Sequence, residues 1–399
     1  MKPSKHVRVS DLQGASRLAI EATRGITDLA EALHAKIAAP FGMADRQRAD
    51  RTSGITGFVY KSVRGVTGAV GGGIDAALSL FQRADTSEDS SFERDAAISA
   101  LNGVLGDHLV KTENALAIPM SIRFNQKPID FAAPLAKQCP NVSGKIALFV
   151  HGLCMNDRQW LRAGHDHGAA IEKACGFTPL YVRYNTGQHT SINGAALSNL
   201  LEMLSQSWPA PIEEIIIVAH SMGGLVSRSA IEQARESSAK WQRKVSKVFF
   251  LGTPHHGAPL ERGGSWIDIV LGATPYTKPF ARLGKIRSAG ITDLRYGNVL
   301  ERDWSNDASA RITTALPSNI QCFAIAATTG KSTRDLRDAL LGDGLVPVAS
   351  ALGKHRLIKH RLAFPEANTW IAFERNHMDL LSDGEVCEQM VRWIRGADK

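Results

Sequence analysis

One stretch constrains this chain more than any other: Ile215-Ile216-Ile217-Val218-Ala219-His220-Ser221-Met222-Gly223-Gly224. Its run of β-branched residues suits a strand buried on both faces. A helical pattern of Leu225, Val226, Ala230, Ile231 and Ala234 follows directly. The two glycines let that helix press against the strand, and Ser221 is caught in the tight turn between them. Such a turn exposes the serine Oγ and sets the next backbone N–H groups at a helix N-terminus, the layout of a nucleophile elbow. A serine so placed needs a base, an acid and a second oxyanion donor from elsewhere in the chain.

The composition permits a large α/β domain with extra elements. Of 399 residues, 44% are hydrophobic and 22% charged, a globular balance that excludes wholesale disorder. The net charge of +8 is too small to imply nucleic-acid binding. No zinc-finger spacing, Walker A loop or aromatic RNA-binding motif occurs. Cys139, Cys154, Cys175, Cys322 and Cys387 are dispersed and lack a CxxC pair. That spacing argues against a disulfide scaffold or a structural metal and for a reducing compartment. The N-terminus has no uninterrupted apolar run after its basic residues, so no Sec signal peptide is read. The expected location is cytoplasmic, with peripheral membrane association.

Residues 1–115 read as an N-terminal helical region. Apolar residues at three- and four-residue steps predict a helix over 10–38. Residues 54–81 carry an apolar face from Ile55 to Phe81, yet hold seven glycines, among them Gly71-Gly72-Gly73. Lys61, Arg64 and Asp75 leave no span of about 20 apolar residues, which excludes a membrane-crossing helix. Two readings remain: a Gly-rich helical hairpin on the main domain, or a lipid-contacting element. Residues 83–93 are a polar linker, followed by a helix through Leu109.

Residues 116–399 read as one α/β domain. Short strands are expected at Ile118–Phe124 and Ile129–Phe131. From Lys145, strands (Lys145–Val150, Leu180–Tyr184, Glu214–Ala219, Val245–Gly252) alternate with helices (157–174, 191–206, 222–236). Strands resume at Gln321–Ala327 and Asn368–Phe373, and a helix over 378–395 closes the chain. This rhythm predicts a doubly wound, mostly parallel sheet. Residues 257–316 interrupt it and read as a lid or cap. Its apolar residues, such as Trp266 and Phe280, would either cover the pocket reversibly or form a fixed wall.

A serine hydroxyl needs a histidine to take its proton and a carboxylate to orient that histidine. In a doubly wound sheet such groups sit beyond the carboxyl ends of the strands. Ser221, Asp343 in GDGLVP and His377 in RNHMD meet this condition in the order Ser, Asp, His. His151-Gly152-Leu153 follows an earlier strand, so the amides of Leu153 and Met222 are the candidate oxyanion donors. Asp379 and Asp383 compete with Asp343 for the acid's role, but Asp379 is too near His377 in sequence to reach the correct ring nitrogen. His151, His220, His255 and His256 are assigned packing or loop-structuring roles. The basic run Lys354–Arg361 is either a solvated face or an attractor for anionic head groups.

Together HGL, AHSMGG, LGTPHHG, GDGLVP and NHMD resemble the α/β-hydrolase lipases, close to the bacterial triacylglycerol lipases and the lipase-like domain of GPI inositol-deacylases. The resemblance spans roughly residues 116–399. It implies a Ser221–Asp343–His377 triad, an acyl-enzyme and hydrolysis of carboxylic esters without a cofactor. Ala219 stands where the G-x-S-x-G pattern has its first glycine. Some bacterial lipases of this kind hold calcium near the histidine loop. Asp379 matches one ligand by spacing, but no second acidic ligand is found, and no metal is assigned. The expected activity is ester or lipid hydrolysis on a hydrophobic substrate, with lipid-surface contact through residues 54–81. The alternatives are an acyltransferase with the same triad and a lipid-surface scaffold.

Overall fold

A computed structural model describes residues 10–21, 90–258, 288–305, 313–332 and 342–396. The Gly-rich segment 54–81 and much of the 257–316 insertion lie outside the described residues. The chain divides into two compact units. Residues 10–21, 90–94 and 109–117 belong to the smaller one. There, residues 10–21 form α1, Asp11 pairs with Arg94 at 2.5 Å, and Asn114 donates to the Gly14 carbonyl.

The larger unit takes residues 95–108 of helix α2 (Phe92–Lys111) and the chain from Ile118 onward. Its eight-stranded sheet has the order β2-β1-β4-β3-β5-β6-β7-β8. These strands are β1 (Ser121–Phe124), β2 (Lys127–Pro128), β3 (Lys145–Val150), β4 (Thr178–Arg183), β5 (Glu214–His220), β6 (Val245–Leu251), β7 (Gln321–Thr328) and β8 (Thr369–Phe373). β1 runs antiparallel to β2 and β4, and every other pairing is parallel. The main helices are α3 (Leu135–Gln138), α4 (His167–Cys175), α5 (Thr190–Ser207), α6 (Met222–Glu236), α7 (Ala289–Tyr296), α8 (Arg302–Ser305), α9 (Val348–Ala351) and α10 (Gly384–Arg395). Among the described residues, no helix is long and apolar enough to cross a membrane.

The Ile215–Val218 run behaves as its composition demands. Ile215 and Ile217 enter one core with Ile146, Leu148, Val226 and Trp241. Ile216 and Val218 enter the other, with Phe149, Trp160, Ile171 and Trp393. Each such side chain is fully buried, worth about 1.5–3 kcal/mol. Layers on both faces leave the strand ends as the place where side chains meet open space.

Three expected elements differ. The helix over 157–174 is instead a 3-10 turn at Asp157–Trp160, a reversal, and then α4. Asn156 and Gln159 close a capping box on the first turn. Ala163 and Gly164 both adopt positive φ, at 50° and 78°, and turn the chain so that Arg162 pairs with His165. The closing helix over 378–395 is split. Leu381 ends a 3-10 turn, and Asp383 caps α10 through the amides of Glu385 and Val386. The strand expected at Ile129–Phe131 falls on Lys127–Pro128, because Asn125 and Gln126 both take positive φ and close a two-residue hairpin.

Candidate active site

Ser221 lies between β5 and α6 with φ 54° and ψ −123°, a backbone region that L-residues rarely occupy. Neighbouring strands over-determine it. Its N–H donates to the Leu251 carbonyl at 2.8 Å, and its carbonyl accepts from Gly224 N–H at 3.0 Å. Gly223 makes the turn possible: a Cβ there would lie 2.3 Å from the Val150 carbonyl oxygen. The serine side chain makes no capping hydrogen bond to its own helix. Its hydroxyl is thereby left to face the cleft.

Asp343 and His377 meet. His377 Nδ1–H donates to Asp343 Oδ2 at 2.6 Å, with both residues buried. Asp343 Oδ1 accepts the amides of Leu345 and Val346 at 3.0 and 2.8 Å. The His377 amide donates to the Asp343 carbonyl at 3.1 Å. With both carboxylate oxygens engaged, the carboxylate cannot rotate away, and the imidazole turns Nε2 outward. Ser221 and His377 line one mostly apolar cleft with Gly152, Leu153, Leu294 and Val346.

The competing acids are committed elsewhere. Asp379 accepts the Asn376 amide at 2.8 Å, and Asp383 pairs with Arg375 at 2.5 Å while capping α10.

Of the two candidate oxyanion residues, Leu153 lines the same cleft and Met222 directly follows Ser221. Met222 opens α6, so its N–H has no partner within the helix. Leu153 follows Gly152, where a Cβ would stand 3.0 Å from the Ser221 Cβ. That approach needs a residue without a side chain. The loop is held from three sides. Tyr184 Oη donates to the His151 carbonyl at 2.7 Å, and its ring stacks on His151 at 4.4 Å. Cys154, at φ 60°, donates its amide to Thr186 Oγ1 at 3.0 Å. The Cys154 thiol reaches the Ala100 carbonyl in α2 at 3.8 Å.

Burial lowers His151 to about 4, so it stays neutral near pH 7. His220 is held well below its ordinary value by burial and by the nearby His377, and it donates Nε2–H to the His377 carbonyl at 3.0 Å. The expectation that it merely packs away from the serine understates it. His255 is kept neutral by burial and by Arg228 at 3.3 Å. With His256, His355 and His360 it lines a second cavity of about 200 Å³. His355, Leu357 and His360 of the basic run thus border a cavity, while Ile358 is exposed.

Sequence reasoning also misses a buried ion-pair cluster just beyond the candidate oxyanion loop. Asp157 pairs with Arg123 at 3.0 Å and with Arg183, which reaches Asp95 in α2 at 3.0 Å. The partners are far apart in sequence, and no local pattern marks them.

A doubly wound, mostly parallel sheet with a serine at a strained strand-to-helix turn, and an Asp–His pair beyond later strands, is the layout of the α/β-hydrolase fold. Residues 141–318 match the family described as the PGAP1-like alpha/beta domain. No curated protein matches the chain. Among solved structures, the mature Bacillus licheniformis lipase BlEst2 is 18% identical, with a TM-score of 0.41, over 63% of this chain and 91% of that one. Aspergillus fumigatus lipase B is 8% identical, with a TM-score of 0.42, over 68% and 55% of the two chains. An arylesterase is 12% identical, with a TM-score of 0.41, over 80% and 95%.

Proposed function

We propose that the protein is a serine carboxylic ester hydrolase acting on hydrophobic acyl esters. The observation that carries the reading is the Asp343–His377 pair opening onto the cleft that holds Ser221. Ser221 Oγ attacks the ester carbonyl while His377 Nε2 takes its proton. Asp343 holds Nδ1–H and stabilises the imidazolium that forms. The amides of Leu153 and Met222 receive the developing oxyanion. His377 returns the proton to the leaving alcohol, giving an acyl-enzyme. Water, deprotonated by His377, then releases the acid. The scheme needs no cofactor. The apolar walls contributed by Leu153, Leu294 and Val346 favour an acyl chain over a polar one. Contact of residues 54–81 with a lipid surface belongs to the same proposal.

A p-nitrophenyl ester series of increasing acyl length, run on wild type and Ser221→Ala, tests it. The expected result is turnover by the wild type, rising with chain length before it falls, and loss of about 10⁶-fold in kcat for the variant at unchanged far-UV circular dichroism. Wild-type turnover retained by Ser221→Ala would remove the mechanism. Vesicle co-sedimentation of the full chain checks the lipid contact, which fails if the protein stays in the supernatant.

A further inference from the structure

Outside the residues that line the Ser221 cleft, three metal-ligating side chains converge. They are His165, His167 and Cys387, whose ligand atoms all lie within 4.8 Å of one another. His165 Nε2 and His167 Nδ1 are 2.9 Å apart, and their rings stand edge to face at 75°. The rings therefore aim nitrogens at a common region instead of stacking.

The backbone prepares this arrangement. The tight reversal at Ala163-Gly164 fixes His165 through paired hydrogen bonds with Arg162, at 3.0 and 2.9 Å. Asp166 then caps α4 by accepting the amides of Gly168 and Ala169, which sets His167 on its first turn. Asp166 Oδ1 is occupied there and by Tyr181 Oη at 2.7 Å, and Asp166 is not one of the converging groups. Cys387 comes from α10, which packs on α4 through Ile171, Val386 and Met390.

The tautomer of His167 is decided by its other nitrogen. Nε2 lies 3.0 Å from the Leu380 carbonyl, which can only accept, so Nε2 carries the proton. His167 is fully buried, and with its proton on Nε2 it keeps a lone pair on Nδ1, the nitrogen that faces His165. A histidine that binds metal through one nitrogen commonly donates the other N–H to a carbonyl in this way.

We infer that His165, His167 and Cys387 bind a zinc ion, with a fourth position open to water. Two imidazoles and one thiolate suit this borderline-soft cation. Tetrahedral zinc with Zn–N of about 2.0–2.1 Å places two nitrogens roughly 3.3 Å apart, a few tenths more than the observed separation. Cys387 loses its thiol proton to solvent on binding, and His165 holds its remaining proton on Nδ1. The partial exposure of His165 gives the ion a way in. Cysteine spacing carries no trace of the site, because only one ligand is a cysteine. The competing reading is a hydrogen-bonded histidine pair beside an apolar thiol.

The ion would tie α4 to α10 and, through His167 and Leu380, to the loop that carries His377. Its role is to hold the fold, and it stands independently of the ester-hydrolase reading.

The test is elemental analysis of the full chain after dialysis into metal-free buffer, beside Cys387→Ser, His165→Ala and the control Cys139→Ala. The expected result is about one zinc per chain in wild type and control, and a fall of about tenfold or more in both site variants. Cobalt titrated into zinc-stripped wild type should give a thiolate-to-cobalt charge-transfer band that Cys387→Ser lacks. Zinc should also raise the wild-type melting temperature more than that of Cys387→Ser. The cobalt measurement needs no variant to fold, so absence of the band in wild type overturns the site. Zinc retained undiminished in both site variants does the same.

Discussion

His220 Nε2 donates to the backbone carbonyl of His377 at 3.0 Å, so the residue before the serine holds the segment that carries the histidine. The link joins the ends of β5 and β8, which lie at separate places in the sheet order. His220→Ala should therefore act as the loss of a positioning residue. We expect kcat to fall about 10²-fold with KM little changed, since small misplacements of a reacting group cost that much. A pH–rate profile checks it. The profile should keep its shape while its height drops, whereas an unchanged kcat would show that the hydrogen bond positions nothing.

Ser221 holds an unfavourable backbone conformation at φ 54°. Glycine adopts that conformation without steric cost. Ser221→Gly should abolish turnover and raise the unfolding free energy by about 1 kcal/mol. Urea denaturation measures the gain, and a destabilised variant would mean that the turn stores no strain.

Asp157 is buried between Arg123 and Arg183. Removing one partner of a buried pair leaves charge without compensation and costs about 3–5 kcal/mol. Asp157→Ala should lose about that much in chemical denaturation. It should also loosen the adjoining Gly152–Asn156 loop, visible as faster hydrogen exchange there. A loss within experimental error of zero would show the cluster to be energetically neutral.

Burial holds His151 at about 4, against 6.5 for an ordinary histidine. The folded state thus binds fewer protons than the unfolded one between those values, and stability rises with pH across the window. Stability from neutral His151 is fully present above about 6.5 and is lost as pH falls toward 4, amounting to about 3 kcal/mol. Denaturation midpoints measured across that range should fall with acid, and His151→Gln should flatten the slope. An identical slope in the variant would assign the acid sensitivity to other groups.

What could be read in the chain follows from how local each signal is. The Ile215–Val218 run and the glycines after Ser221 specify their strand, turn and helix within ten residues, and the structure places them so. Asp343 and His377 were legible because each sits in a short motif after a strand, and the structure brings them within 2.6 Å. The reversal at Ala163-Gly164 leaves no mark in the sequence, because the apolar residues on either side keep a helical rhythm while the break depends on positive φ. The Asp157 cluster and the His220–His377 link were invisible for a different reason. Their partners are separated by tens to more than a hundred residues, and neither end has a motif of its own.

The register between β3 and β5 runs without a shift from Lys145↔Glu214 to Val150↔Ala219. The His151–Leu153 loop leaves the end of the first strand and the serine leaves the end of the second. Their spacing is therefore inherited from backbone pairing that begins at the opposite edge of the sheet. A slip by one residue would carry the loop about 3.3 Å along the strand and turn its side chains to the wrong face. No half-formed sheet can hold a working site. On heating, the proposed ester hydrolysis and the central strands should vanish together, so the temperature at which turnover stops would be a property of the core and not of the cleft.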